Sequence, residues 1–149
     1  MACAYKTSDA VAIALHAAAY LAANGGRLAS AKEIARAISA SEAHLAKVLQ
    51  RLAKAGVVAS VRGPRGGFTL SRAPEKTPLL AVYEAIEGPL EVCSCLFSTP
   101  ICGGKRCIFR GLVRSLNEQV HEYLNRTTLA EAAAVYRREN NASAQGREN

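Results

Sequence analysis

Tryptophan is absent from this 149-residue chain, methionine occurs once, and aromatic residues make up only 5% of it, although half of all residues are apolar. With alanine dominating and rings scarce, the composition favours a helical protein with a core of modest volume, one domain with appendages. Long apolar runs are missing too. The best candidate, residues 10–23, is fourteen residues long and contains His16, short of the roughly 18 that a membrane span needs. No positively charged region long enough for a secretory signal precedes it. The expected location is therefore the cytoplasm, where structural disulfides are rare and clustered cysteines bind metal or sense redox state. Acidic residues are nearly lacking from one third of the chain. Between Arg27 and Arg72 two acids face nine bases, while the rest carries ten of each, so the whole net charge of +7 sits in that third. This is the electrostatic footprint of a nucleic-acid-binding face.

Local signals divide the chain into helices. Ser8 or Thr7 caps a first helix that stops at Asn24-Gly25-Gly26. Ser30 opens a second, with Glu33 completing a capping-box pattern. Ser41 caps a third, Glu42 to Lys54, in which Leu45, Val48, Leu49 and Leu52 recur at helical spacing and Gly56 ends the run. Thr77 is expected to cap a fourth helix, 78–86, and Thr127-Thr128 a short last one through Val135. Between them a long helix is expected from about Ile108 to Asn125. Ile108, Leu112, Leu116, Val120 and Tyr123/Leu124 form its apolar stripe, and Arg114–Glu118 is an ion pair on the other face. A stripe of that length in a small chain suits a dimer seam.

Two short helices joined by a tight turn make a helix-turn-helix. The next segment sharpens that reading: a β-branched run from Val57 to Arg62, a Gly-Pro-Arg-Gly-Gly turn, and a returning strand Phe68-Thr69-Leu70. The expected fold class is thus mainly α, a winged helix-turn-helix DNA-binding domain followed by a long C-terminal dimerisation helix. The third helix would enter the major groove of promoter DNA, with Ser41, Glu42, His44, Lys47, Gln50 and Arg51 near the duplex. Arg62, Arg65 and Gly66 of the wing would follow the phosphate backbone. The boundaries read as residues 1–76 for the DNA-binding domain and 77–107 for a linker helix and cysteine-rich loop. Residues 108–136 form the dimerisation and terminal helices, and 137–149 a polar, disordered tail.

The loop holds four of the five cysteines, Cys93, Cys95, Cys102 and Cys107, within fifteen residues. Several uses fit that density. An iron–sulfur cluster takes thiolates from a flexible loop, and Lys105 and Arg106 would lower thiol pKa values and offset cluster charge. Zinc would take all four cysteines, although Cys-x-Cys is an awkward chelate for one ion. A metal-free thiol switch, a metabolite-sensing regulator and a small thiol oxidoreductase are the remaining readings. The last lacks an activating base near the loop.

The run Leu45-Ala46-Lys47-Val48-Leu49 through Ala55-Gly56-Val57-Val58 to Arg62-Gly63-Pro64-Arg65-Gly66-Gly67-Phe68 closely resembles the Rrf-two family of bacterial transcription regulators. Its branches include iron–sulfur biogenesis (IscR-like) and nitric-oxide-sensing (NsrR-like) regulators. The resemblance covers residues 10–135, and the Arg-Gly-x-x-Gly-Gly wing is its most specific part. It implies a homodimeric, non-enzymatic DNA-binding regulator, a repressor, that senses redox, nitric oxide or iron–sulfur status. It also implies a two-iron or four-iron cluster on Cys95, Cys102 and Cys107. Their spacing here is six then four residues, where those branches more usually show five and five. The fourth ligand is open among His16, Asp9 and Cys93, the first two reaching across from the partner subunit. One branch has a histidine three residues after the last cysteine, where this chain has Arg110. The glutamate that tunes DNA choice in the IscR-like branch is replaced by Ala46, so His44 and Lys47 look more like the nitric-oxide-sensing branch.

Overall fold

The computed structural model describes residues 6–97, 99, 101, 102 and 107–136. Cys3, the Lys105-Arg106 pair and the 137–149 tail lie outside them. Among the described residues the order is α1 (Asp9–Ala23), α2 (Ala31–Ala37), α3 (Glu42–Lys54), β1 (Val58–Val61), β2 (Gly67–Leu70), α4 (Leu79–Glu87), α5 (Leu112–Arg126) and α6 (Leu129–Ala132).

The centre of the packing is α1. It is apolar on nearly every side, and Val11, Ala14, Ala17, Ala18, Ala19, Leu21 and Ala22 are all buried. A helix of that kind belongs inside a bundle. Here α3, α4 and α6 all pack against it, and small side chains let their axes approach closely. The amphipathic α3 contributes Leu45, Val48, Leu49 and Leu52 to the same core.

Most caps read from sequence are in place, although the Glu33 carboxylate goes to Tyr20 and Arg27 instead of closing a capping box with Ser30. The hydroxyls of Ser8, Ser30 and Ser41 accept from the backbone N–H groups of Val11, Glu33 and His44, each at 3.2 Å. Thr128 and Glu131 form a reciprocal capping box on α6. Two further expectations are corrected. Thr77 does not cap α4; it is buried and donates to Ala73 O at 3.0 Å, and Pro78 stands at the cap position without a side-chain bond. Its backbone pairs instead with the end of α5, because Leu79 N–H bonds Thr127 O and Leu129 N–H bonds Thr77 O, both at 2.9 Å. The long helix starts at Leu112 rather than Ile108. Arg110 and Gly111 hold φ of 45° and 87°, left-handed values that no α-helix continues through.

The wing is an antiparallel hairpin in the register Val58↔Leu70 to Val61↔Gly67. A further bridge joins it to the loop after α1, where Ala29 and Phe68 exchange N–H···O bonds of 3.0 and 2.8 Å. The wing is thereby fixed to the helical body, and Gly67 is what permits it. A Cβ there would lie 2.6 Å from Ala29 O.

Candidate functional site

Two sites emerge, a basic face and a cysteine pocket. On the first, Ser41 positions the start of α3 through its cap. Glu42, His44, Lys47, Gln50 and Arg51 are exposed along the helix, opposite its buried leucines. Arg62 and Arg65 are exposed around the hairpin turn, and the Gly66 N–H closes that turn on Gly63 O at 2.9 Å. Arg51 has a second role that its sequence position does not reveal: its guanidinium donates to Ile86 O, tying the last turn of α3 to the end of α4. A neighbouring cluster fixes α2. The Tyr20 hydroxyl donates to Glu33 Oε1 at 3.0 Å, and Arg27 forks onto the same carboxylate. The hydrogen bond from Arg27 holds the Glu33 carboxyl below its ordinary pKa, while burial raises that of Tyr20, so the carboxylate accepts and the phenol donates.

An exposed basic helix beside a basic wing is the geometry that reads a major groove and tracks phosphate. Lys47→Ala and Arg65→Ala should each weaken binding to all duplexes alike. Each should also flatten the slope of log affinity against log salt by about 1, measured by gel shift or anisotropy. A sequence-selective loss with an unchanged salt slope would move that residue from phosphate to base contact.

The second site lies where the 93–107 loop meets the start of α5. Cys95, Cys102 and Cys107 line one pocket of about 120 Å³, with Phe97, Ile101 and Val113 among its apolar walls. The Phe97 N–H points at Cys95 Sγ, 3.5 Å away. Cys93 is exposed and does not line the pocket. Its carbonyl accepts from Asn117 Nδ2 at 3.5 Å. His16 and Asp9 lie elsewhere, on a groove of about 300 Å³ between α1 and the start of α3 that His44 also lines. His16 Nδ1 stands 2.8 Å from the Tyr136 hydroxyl. The fourth-ligand candidates on α1 are therefore not brought to the cysteine pocket of the same chain. Among the described residues no three His, Cys, Asp or Glu side chains stand close enough together to hold a metal ion. The donor set nonetheless fits a cluster in kind, three thiols on one apolar pocket with a backbone N–H facing a sulfur.

Two short helices, a hairpin wing and a basic recognition face define a winged-helix, DNA-binding transcription regulator. Its family is Rrf2, the iron-dependent transcriptional regulators, whose model matches residues 7–134, and the chain belongs to it. An HTH-type transcriptional regulator of Aquifex aeolicus is 37% identical over 125 residues, covering 82% of this chain and 87% of that one. The regulator IscR of Erwinia tasmaniensis is 38% identical over 91 residues, which span 61% of this chain and 55% of the relative. The solved structure of CymR, the global cysteine regulator of B. subtilis, superposes with a TM-score of 0.73 at 28% identity, covering 88% of this chain and 98% of that one. These relatives are regulators and not enzymes, which removes the oxidoreductase reading. Among the described residues no helix is long and apolar enough to cross a membrane.

Proposed function

We propose that this regulator acts in the cytoplasm as a homodimeric repressor whose promoter binding responds to redox, nitric oxide or iron–sulfur status. The observation that carries the proposal is the gathering of Cys95, Cys102 and Cys107, without Cys93, on one apolar pocket at the root of α5. These three thiolates would hold an iron–sulfur cluster, two-iron or four-iron, which when bound supplies reversible one-electron chemistry and reactivity toward oxygen or nitric oxide. The chain's own part is to set three half-buried thiols against apolar side chains and to point the Phe97 N–H at Cys95. His16 or Asp9 of the partner subunit, or Cys93, would complete the ligand set.

The dimer reading rests on the uncovered face of α5. Leu112, Leu116 and Tyr123 along the helix are 52%, 46% and 58% exposed, and Ile108, just ahead of the turn that opens it, is 88% exposed, an apolar surface too large to be left in water. A second copy covering it would bring two recognition helices into fixed relation, so any change at the root of α5 would alter how both half-sites are met.

The test is the visible spectrum of anaerobically isolated protein, with iron and sulfide counts. A brown protein whose absorbance changes on adding nitric oxide or oxygen is expected. A colourless, iron-free protein after anaerobic reconstitution would favour a second reading, a metal-free thiol or metabolite-sensing regulator. That reading draws on the likeness to CymR and on the absence of three close donors among the described residues.

A further inference from the structure

Helix α2 is seven residues long and buries only Ile34 and Ala35. Ala31 and Ile38 add partly buried contacts to the core, and polar contacts from Tyr20 on α1 and Arg27 in the loop after it fix the first turn of α2. Tyr136 is 9% exposed. Its ring stands edge-on to Tyr20, with centroids 5.7 Å apart at 90°, and to His16, 6.2 Å apart at 89°. Its hydroxyl meets His16 Nδ1. Tyr20 then donates to Glu33, the third residue of α2, whose carboxylate is also held by Arg27. An unbroken series of contacts thus runs from Tyr136 through Tyr20 to the first helix of the helix-turn-helix. At its other end the segment is rooted rigidly, since the backbone bonds between Thr77–Leu79 and Thr127–Leu129 tie the end of α5 and the start of α6 to α4.

We infer that Tyr136 and Tyr20 are positioning residues for operator recognition: they transmit the placement of the C-terminal turn to α2, and through its packing to the recognition helix α3. The inference rests on DNA binding by this family and not on what the cysteine pocket holds. Neither tyrosine lies on the basic face, and neither needs to touch DNA. A misplaced α2 would tilt α3 in the groove and spoil base contacts, while the phosphate attraction of the whole basic face would survive.

The experiment starts with a duplex that the wild-type full chain selects from a random library, set against a scrambled duplex of equal length. Affinities for both are measured for Tyr136→Ala, Tyr136→Phe and Tyr20→Phe, with thermal melts alongside. Tyr136→Ala should lower the ratio of selected to scrambled affinity roughly threefold to thirtyfold, the range for residues that couple distant sites, with scrambled binding nearly unchanged. Tyr20→Phe, which keeps the ring and loses the Glu33 bond, should lower it by a smaller factor. Tyr136→Phe, which keeps the ring contacts, should stay close to wild type. Added to Tyr136→Ala, the Tyr20 change should have little further effect, because the two lie on one path. A ratio unchanged in both Tyr136→Ala and Tyr20→Phe would overturn the inference. So would equal loss of both affinities, which would mean only that less protein is folded. Should Tyr136→Ala fail to fold, Tyr20→Phe decides alone. A wild type that enriches no duplex would instead remove the DNA-binding premise.

Discussion

Replacing Gly66 with alanine is expected to abolish high-affinity operator binding and to lower the melting temperature, although the change adds one methyl group at a partly exposed position. An alanine Cβ would sit 2.1 Å from Val61 O and 3.0 Å from both Arg62 C and Gly63 O. All three are backbone atoms of the opposing strand and turn, so no side chain can rotate to make room. The hairpin must open, and the bond that closes it, Gly66 N–H to Gly63 O, goes with it. Arg62 and Arg65 then lose their fixed place beside α3. Overpacking of this kind costs about 1–3 kcal/mol, and losing the wing's contacts together should reduce affinity by more than about tenfold. Arg65→Ala is the control, since it removes one charge and leaves the turn intact. If Gly66→Ala melts with the wild type and binds the selected duplex within twofold of it, the wing is not held as described.

The same residues show what was legible in the sequence. The Arg-Gly-x-x-Gly-Gly turn announces a wing, because glycines that tolerate close backbone approach leave a local signature. The caps at Ser8, Ser30, Ser41 and Thr128 were readable for a similar reason, each involving partners three residues apart. The Ala29–Phe68 bridge was not, since its partners are brought together only once α1 and α3 have packed. Thr77 misleads because a Thr-Pro pair ahead of an apolar run reads as a cap, while the long-range pairing with Thr127–Leu129 takes over its backbone. At Ile108 the apolar period ran straight across Gly111, and the left-handed turn there outweighed it. That glycine was the available signal. The basic face could be found from charge alone. The cysteine pocket could not, because its walls come from an aperiodic loop and the first turn of α5, and the choice of three thiols out of four came from family resemblance.

That choice yields the second large effect. Cys95→Ser, Cys102→Ser and Cys107→Ser should each remove most of the iron and visible colour from anaerobically isolated protein, whereas Cys93→Ser should keep both. Serine preserves size but offers iron a hard, poorly ionised oxygen in place of a soft thiolate. The three pocket thiols sit on apolar walls, where a lost sulfur ligand is not replaced by water without cost. Cys93 is exposed, outside that pocket, and its neighbour Asn117 holds its carbonyl rather than its sulfur. His16→Ala should fall between these outcomes if His16 serves across the dimer, because its Nδ1 is committed to Tyr136 and only Nε2 is left to reach a partner's loop. Iron loss in Cys93→Ser as complete as in Cys102→Ser would place four thiols in one site and make Cys93, not an α1 residue of the partner, the fourth ligand. The iron counts alone do not establish sensing. Operator affinity measured on the same variants does, since a protein that loses its iron yet binds the selected duplex unchanged would have a metal site uncoupled from its DNA-reading helices, and the pocket at the root of α5 would then be structural.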